Sequence, residues 1–321
     1  DRFESEGLSL DDHLEGLLMN SGTHYWYYIS VDTLLSLQKP ITRYPNELIF
    51  ITYHQICELY FRLCIHEIQI LTGTSDNYQD LDGLEGVRLP HDPENWKVRL
   101  KRIIFYFQNL TESFKLMHKD LFEPSEFRRF RLALIPASGF QSGQFREMEI
   151  MMTSLRNLQY RGKMINIENH EDDYGNIYWK VGGLQTLKKP DGDFETVWSN
   201  PEKRIPAKTK TLINFEKRYD ERFIMLAEKY KDDNLYSVFQ RQSPSISENE
   251  EIRKLLSDMD QLINKRWKGN HFSVIKSQLL PMENHPDEKE KGTGGTNWAE
   301  YLPPKSQQIK YFPGISVDWE Y

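Results

Sequence analysis

LIFITYHQICELYF, residues 48–61, is the stretch on which the reading of this chain turns. Its apolar residues recur every three or four positions and do not alternate, which is the spacing of a helix and not of a strand. Phe50, His54, Cys57, Glu58 and Phe61 fall on one face by the i, i+4, i+7, i+8, i+11 rule. An ordinary core stripe would carry Leu and Ile there, so a histidine and a glutamate must be satisfied by partners or by a ligand. A second histidine, His271, lies in RWKGNHFSVI at 266–275, again among aromatic and apolar residues. A core imidazole is costly unless its ring nitrogens are bonded. Two of them on apolar helices point to a buried site that uses imidazole.

The same periodicity extends outward. Helices are predicted over 25–38, 47–71, 96–119, 140–160, 211–231 and 248–280, the first ending ahead of Pro40. Residues 74–93, rich in Asp, Gly and Pro, read as a loop. Residues 161–210 are the least regular, with turn signals at Gly182-Gly183, Lys188-Lys189-Pro190-Asp191-Gly192-Asp193 and Asn200-Pro201, and read as a partly exposed insertion. Residues 281–321 are polar and then rich in Gly and Pro, and are expected to lie over the body without a core of their own. Strand-type alternation is scarce and there is no internal repeat. The expected fold is therefore all-α: a helical bundle in a single domain over 1–321, interrupted by the 161–210 insertion and preceded by a helical segment over 1–40.

Composition sets bounds on function. The 321 residues are 38% apolar and 13% aromatic, with 17 Tyr, 17 Phe and 7 Trp, enough for a large core and for a pocket that takes a planar ligand. A net charge of −7 with no basic run argues against a nucleic-acid partner. No stretch approaches the roughly 20 apolar residues that span a bilayer, and the polar start DRFESEGLSLDDHLEG lacks the apolar core of a signal peptide. A soluble, cytoplasmic protein without a membrane partner is expected. Cys57 and Cys64 lie about 10 Å apart along one helix, too far for a mutual disulfide, and fit a reducing compartment as free thiols.

Several chemistries fail on spacing. None of the nine histidines has Glu three residues before it, as di-iron bundles require. His-Glu-x-x-His and Cys-x-x-Cys zinc patterns are absent, as are Gly-x-Ser-x-Gly, the phosphate-cradling Gly-x-x-x-x-Gly-Lys and the Cys-x-x-Cys-His of covalent haem attachment. Two readings of the histidines stay open: a haem pocket, with one imidazole on iron and the other across from it, or a pair of structural core histidines.

Six ordered motifs bear on that choice: Tyr25-x-x-Tyr28 leading into Asp32-Thr33-Leu34-Leu35; Phe50-x-x-x-His54-Gln55-x-x-Glu58-Leu59-x-Phe61; Phe127-x-x-Phe130-Arg131; PASGFQSGQFR at 136–146; Trp267-x-x-Asn270-His271; and Gly292-Thr293-Gly294-Gly295. Through them the chain resembles the tryptophan 2,3-dioxygenase family along most of its length. The resemblance implies an all-helical homotetramer that binds haem b and cleaves the indole C2–C3 bond of L-tryptophan with O2, giving N-formyl-L-kynurenine, a step of tryptophan catabolism in the kynurenine pathway.

Residue by residue, the resemblance makes His271 the proximal iron ligand, with Trp267 and Ile275 along the haem, and His54 the distal catalytic residue that bonds the indole N–H. Phe50 and Phe127 become walls of the indole slot. Arg131 becomes the partner of the substrate carboxylate, for which a guanidinium offers two parallel donors, although Arg128 and Arg129 stand beside it. Thr293 would meet the amino-acid end from a glycine-flanked loop, with Gly294 and Gly295 supplying backbone freedom. Ser138 and Gly139 would lie at the haem edge, and Arg102 would be a propionate partner. Tyr25 and Tyr28 would reach into the neighbouring subunit's pocket.

Some features depart from the family pattern. Cys57 stands one turn after His54, where other members carry Tyr or Asn; the 161–210 segment is longer than in close relatives; and the charged run Asp287-Glu288-Lys289-Glu290-Lys291 precedes Gly292. They leave substrate identity more open than haem binding. A related haem-dependent aromatic oxygenase or peroxygenase, acting on a modified tryptophan or on tyrosine, is one alternative. A non-catalytic helical protein that binds haem or an indole is another.

Overall fold

The computed structural model describes residues 9–19, 24–74, 92–134, 142–158, 178–181, 184–188, 194–196, 210–279 and 309–315. The chain forms two compact units, Asp1–Ile41 and Thr42–Tyr321. The first contains helices α1 (Leu10–Met19), α2 (Tyr25–Tyr28) and α3 (Val31–Leu35). The continuous helix expected over 25–38 is broken at Ser30, whose φ of 52° places it in the left-handed region, a conformation a right-handed helix cannot incorporate.

The second unit is built on α4 (Asn46–Thr72). Its start is pinned by Glu47, buried, whose carboxylate accepts from the Thr42 backbone N–H at 2.7 Å and from the Thr42 hydroxyl. Its end is closed by Gly73, at φ 70°, where a side chain would be strained. By length and composition α4 could cross a membrane, against the expectation that no stretch approaches a span. In this fold Tyr53, Cys57, Phe61, Cys64, Ile65, Ile68 and Leu71 are buried.

Helix α5 (Pro93–Ser113) starts where Pro93 follows the cap Asp92, which accepts from the Asn95 N–H at 2.8 Å. It runs antiparallel to α4, since Tyr53 meets Phe114, Phe61 meets Phe107, and Glu67 meets Arg99. Trp96, Leu100, Ile103, Phe107 and Leu110 form its buried stripe. The helix expected to continue to 119 tightens instead into a 3-10 turn at Phe114–Met117. Helices α6 (Pro124–Leu134) and α7 (Gly143–Met152) pack on α4, and α8 (Lys210–Lys229) packs on α7. Ser142 caps α7, accepting from the Phe145 N–H at 3.2 Å, so this helix begins later than the 140–160 expectation. It ends at Thr153, which is extended. Gly143 allows close approach of α8: a Cβ there would sit 2.7 Å from Tyr219 Cζ.

After the short helices α9 (Leu235–Gln240) and α10 (Pro244–Ser247) comes α11 (Glu250–Gln261), capped by Asn249, and then α12 (Lys268–Leu279). Between these last two lies a π-helical turn, Leu262–Trp267, where an unbroken helix is expected. The turn and α11 both pack against α5. The structure is all-α in its body. The segment expected to be irregular carries three short antiparallel strands, β1 (Tyr178–Val181), β2 (Leu184–Lys188) and β3 (Phe194–Thr196), paired in chain order. Residues 309–312 are core and not a cover: Ile309, Tyr311 and Phe312 are buried, and Tyr236 donates to the Pro313 carbonyl at 2.6 Å. Most of the predicted 74–93 loop lies outside the described residues.

Candidate functional site

His54 projects from α4 with Phe50 one turn behind it, ring centroids 4.2 Å apart. Its Nδ1 lies 2.7 Å from the Phe50 carbonyl oxygen. A carbonyl only accepts, so Nδ1 carries the proton and Nε2 keeps its lone pair. Burial pushes the His54 pKa down, against smaller upward effects from the Phe50 carbonyl and the Glu58 carboxylate. The imidazole is thus neutral at pH 7, with Nε2 an acceptor. Glu58 accepts from Gln144 Nε2 at 2.9 Å, which ties the far end of this face to α7.

Tyr53 meets the His54 ring edge-on at 5.2 Å and 89°. Burial, with smaller effects from Cys57 and Ser113 beside it, raises the pKa of its phenol, which stays protonated. Tyr53 stands one turn before Cys57, and burial raises the Cys57 pKa to about 12, so the thiol stays protonated.

His271 rises from α12 and stacks parallel to Trp267, planes 5° apart at 6.0 Å. Phe114 lies 5.8 Å from the His271 ring and 6.1 Å from Tyr53. A continuous aromatic path thus joins the two histidines. Burial, with a smaller effect from His54, lowers the His271 pKa to about 4, which places the two imidazoles within electrostatic reach. Trp267 is packed by Phe145 at 5.0 Å, Phe61 at 5.8 Å and Phe107 at 5.9 Å. Its Nε1 is buried without a hydrogen-bond partner among the described residues.

Beside His54, Phe127 lies 5.9 Å and Phe130 5.8 Å from Phe50. Arg131, in the last turn of α6, is buried at 6% exposure, whereas Arg129 is exposed and Arg128 lies between. Spacing from Pro136-Ala137-Ser138 favours Arg131 among the three, and it is also the buried one. Arg102 is bonded to Glu67 Oε1 at 3.3 Å, and Glu67 also pairs with Arg99 at 2.8 Å. Ser138, Gly139, Thr293, Gly294 and Gly295 lie outside the described residues. Tyr25 and Tyr28 belong to the first unit, 71% and 81% exposed. Tyr53 and Phe114, which complete the path between the histidines, escape the sequence reading. Tyr53 sits off the predicted face, and Phe114 lies just beyond the α5 helix, though in register with its stripe.

The donor set suits one kind of cofactor. A single neutral imidazole, unprotonated down to about pH 4 and walled by aromatic rings, is what an iron needs when a macrocycle supplies its other ligands. The residues present fit haem on that chemistry.

The fold and site thus define an all-α protein with two neutral imidazoles in electrostatic reach of each other among stacked aromatic rings. A sequence model described as tryptophan 2,3-dioxygenase matches residues 12–229, more than half of the chain. The tryptophan 2,3-dioxygenase of Herpetosiphon aurantiacus is 26% identical over 302 residues, covering 92% of this chain and 97% of the relative. That of Ruegeria sp. is 25% identical over 298 residues, covering 91% and 90%. The Xanthomonas oryzae pv. oryzae enzyme of the same name is 34% identical over 143 residues, 43% of this chain and 41% of the relative. The chain belongs to the tryptophan 2,3-dioxygenase family. Trp267, His271 and Thr293 lie beyond the stretch matched by the family's model.

Proposed function

We propose that this protein is a haem b dioxygenase that opens the indole C2–C3 bond of L-tryptophan with O2 to give N-formyl-L-kynurenine. One observation carries the reading: the Phe50 carbonyl fixes the His54 tautomer, leaving Nε2 a neutral acceptor on a ring within electrostatic influence of the candidate iron ligand His271. Family membership and the names of the relatives support it.

His271 would hold the iron, and Trp267, stacked on it, would fix the imidazole plane. Bound haem supplies the O2 chemistry, which no side chain here can perform. His54 Nε2 accepts the indole N–H, while Phe50 and Phe127 confine the ring. Arg131 pairs with the substrate carboxylate, and its burial strengthens that charge-assisted bond. Holding both ends of the substrate turns an encounter into a positioned reaction. Thr293 at the amino-acid end, with Ser138 and Gly139 at the haem edge, completes the proposed set. The exposed Tyr25 and Tyr28 are assigned to the pocket of a second copy in a homotetramer.

The test is reconstitution with hemin, reduction, and addition of L-tryptophan and O2. A steady rise at the N-formylkynurenine absorbance is expected. A different oxidised product would instead favour a related aromatic oxygenase, and failure to take up hemin would favour a non-catalytic binding protein.

A further inference from the structure

A buried polar ladder precedes His271, and the proposed chemistry does not use it. Asp260, Asn264 and Lys268 follow one another at four-residue spacing across the π turn, all buried. Asn264 Nδ2 donates to Asp260 Oδ1 at 2.6 Å, and Lys268 Nζ donates to Asn264 Oδ1 at 2.8 Å. Lys268 also reaches Glu149 Oε1 on α7 at 3.4 Å. The same carboxylate accepts from Arg146 at 2.6 Å and from the Tyr311 hydroxyl at 2.9 Å.

The ladder is closed from outside by residues 309–312. Asn264 Nδ2 donates to the Ile309 carbonyl at 2.7 Å, and the Ile309 N–H returns a bond to Asn264 Oδ1 at 3.2 Å. The Tyr311 and Phe312 N–H groups donate to Asp260 Oδ2 at 3.1 and 3.4 Å. Two carboxylates, Asp260 and Glu149, are thus gathered with Lys268 and the half-buried Arg146 in one polar cluster. An apolar set of equal volume would cost less to bury. What a polar ladder adds is a fixed geometry.

The geometry at issue is the turn itself. An i→i+5 turn takes in one residue more than an α turn, so whatever follows is rotated by about 100° relative to an unbroken helix. His271 follows within one turn. We propose that Asp260, Asn264 and Lys268 are positioning residues that hold the π turn open and so set the direction in which His271 presents its imidazole, with residues 309–312 as their clamp. The inference rests on the reading of His271 as iron ligand.

Resonance Raman of the ferrous, hemin-reconstituted protein reads the iron–histidine stretching band, and titration reads hemin affinity. Asn264→Leu, with unchanged helical circular dichroism, is expected to displace the band and weaken hemin binding roughly 10- to 100-fold, as for outer partners of other metal ligands. Arg222→Ala, which breaks the 2.7 Å pair to Glu147 outside the ladder, is expected to leave both unchanged. A folded Asn264→Leu protein with a lowered melting temperature but a wild-type band and affinity overturns the proposal, since that is what a merely stabilising ladder gives. If Asn264→Leu does not fold, Tyr311→Phe, which removes one hydrogen bond, is read the same way: a displaced band supports, a wild-type band overturns. An iron–histidine band that persists in His271→Ala overturns the ligand assignment itself, a separate failure.

Discussion

His54 donates its Nδ1–H to the carbonyl oxygen of Phe50 across 2.7 Å, one turn back along the same helix, and this one bond decides which nitrogen is left as an acceptor. His54→Ala is expected to lower kcat/KM for L-tryptophan roughly tenfold or more, the worth of one hydrogen bond of about 1.4 kcal/mol. A tryptophan methylated on the indole nitrogen has no proton to give, so with it the substitution should matter little. Steady-state kinetics of both proteins on both substrates test this; equal losses would remove the indole N–H from the account.

The depressed pKa of His271 makes the haem-free protein sensitive to acid. The folded value of about 4 lies below the ordinary 6.5, so the unfolded chain binds the extra proton first. Stability is complete above pH 6.5 and is lost as pH falls from 6.5 through 4, by up to about 3 kcal/mol from this residue. His54, shifted in the same direction, adds to the slope. Urea unfolding at pH 7 and pH 4.5 should show the loss, and His271→Leu should flatten it. An equal slope in both proteins would place the acid sensitivity elsewhere.

Both thiols are buried, Cys57 with its pKa raised to about 12 and Cys64 raised as well, each chiefly by burial. Since the thiolate is the reactive species, neither should react with iodoacetamide at pH 8 in the folded protein, and both should react once it is unfolded in urea. Mass spectrometry before and after unfolding counts them. Rapid native labelling at Cys57 would contradict its burial on α4.

Gly143 opens α7 against the ring of Tyr219. Gly143→Ala puts a methyl group 2.7 Å from Tyr219 Cζ, and a ring packed on Phe215 and Phe223 has little room to yield. Overpacking of this kind costs about 1–3 kcal/mol. Thermal unfolding should show it, and Tyr219→Leu in the same chain should recover most of the loss.

How much of this was legible in the sequence depends on what each element needs. Helix α4 and the buried stripe of α5, Trp96 through Leu110, could be read because spacing alone makes a face apolar. His54 and His271 stood out because an imidazole in such a face calls for a partner. Tyr53 did not, since its role comes from an edge-on contact and a thiol that only the folded chain supplies. Asp260, Asn264 and Lys268, at four-residue spacing, look like a solvated stripe until Glu149 and residues 309–312 are seen to cover them. Ser30 and the π turn break helices whose side-chain pattern runs on unchanged; backbone torsion leaves no mark in periodicity.

The burial of Ile309, Tyr311 and Phe312 also orders events in time. Translation delivers α7 and α11 long before these residues, so Glu149, Asp260 and Asn264 wait, without the backbone donors and the phenol that later cover them, while the ribosome is still at work. A polar group that will be buried stays in water until its partner arrives. Closure around the His271 helix accordingly has to await the synthesis of residues 309–312, and a nascent chain released short of residue 309 would be a substrate for chaperones and proteases and not a smaller version of the same protein.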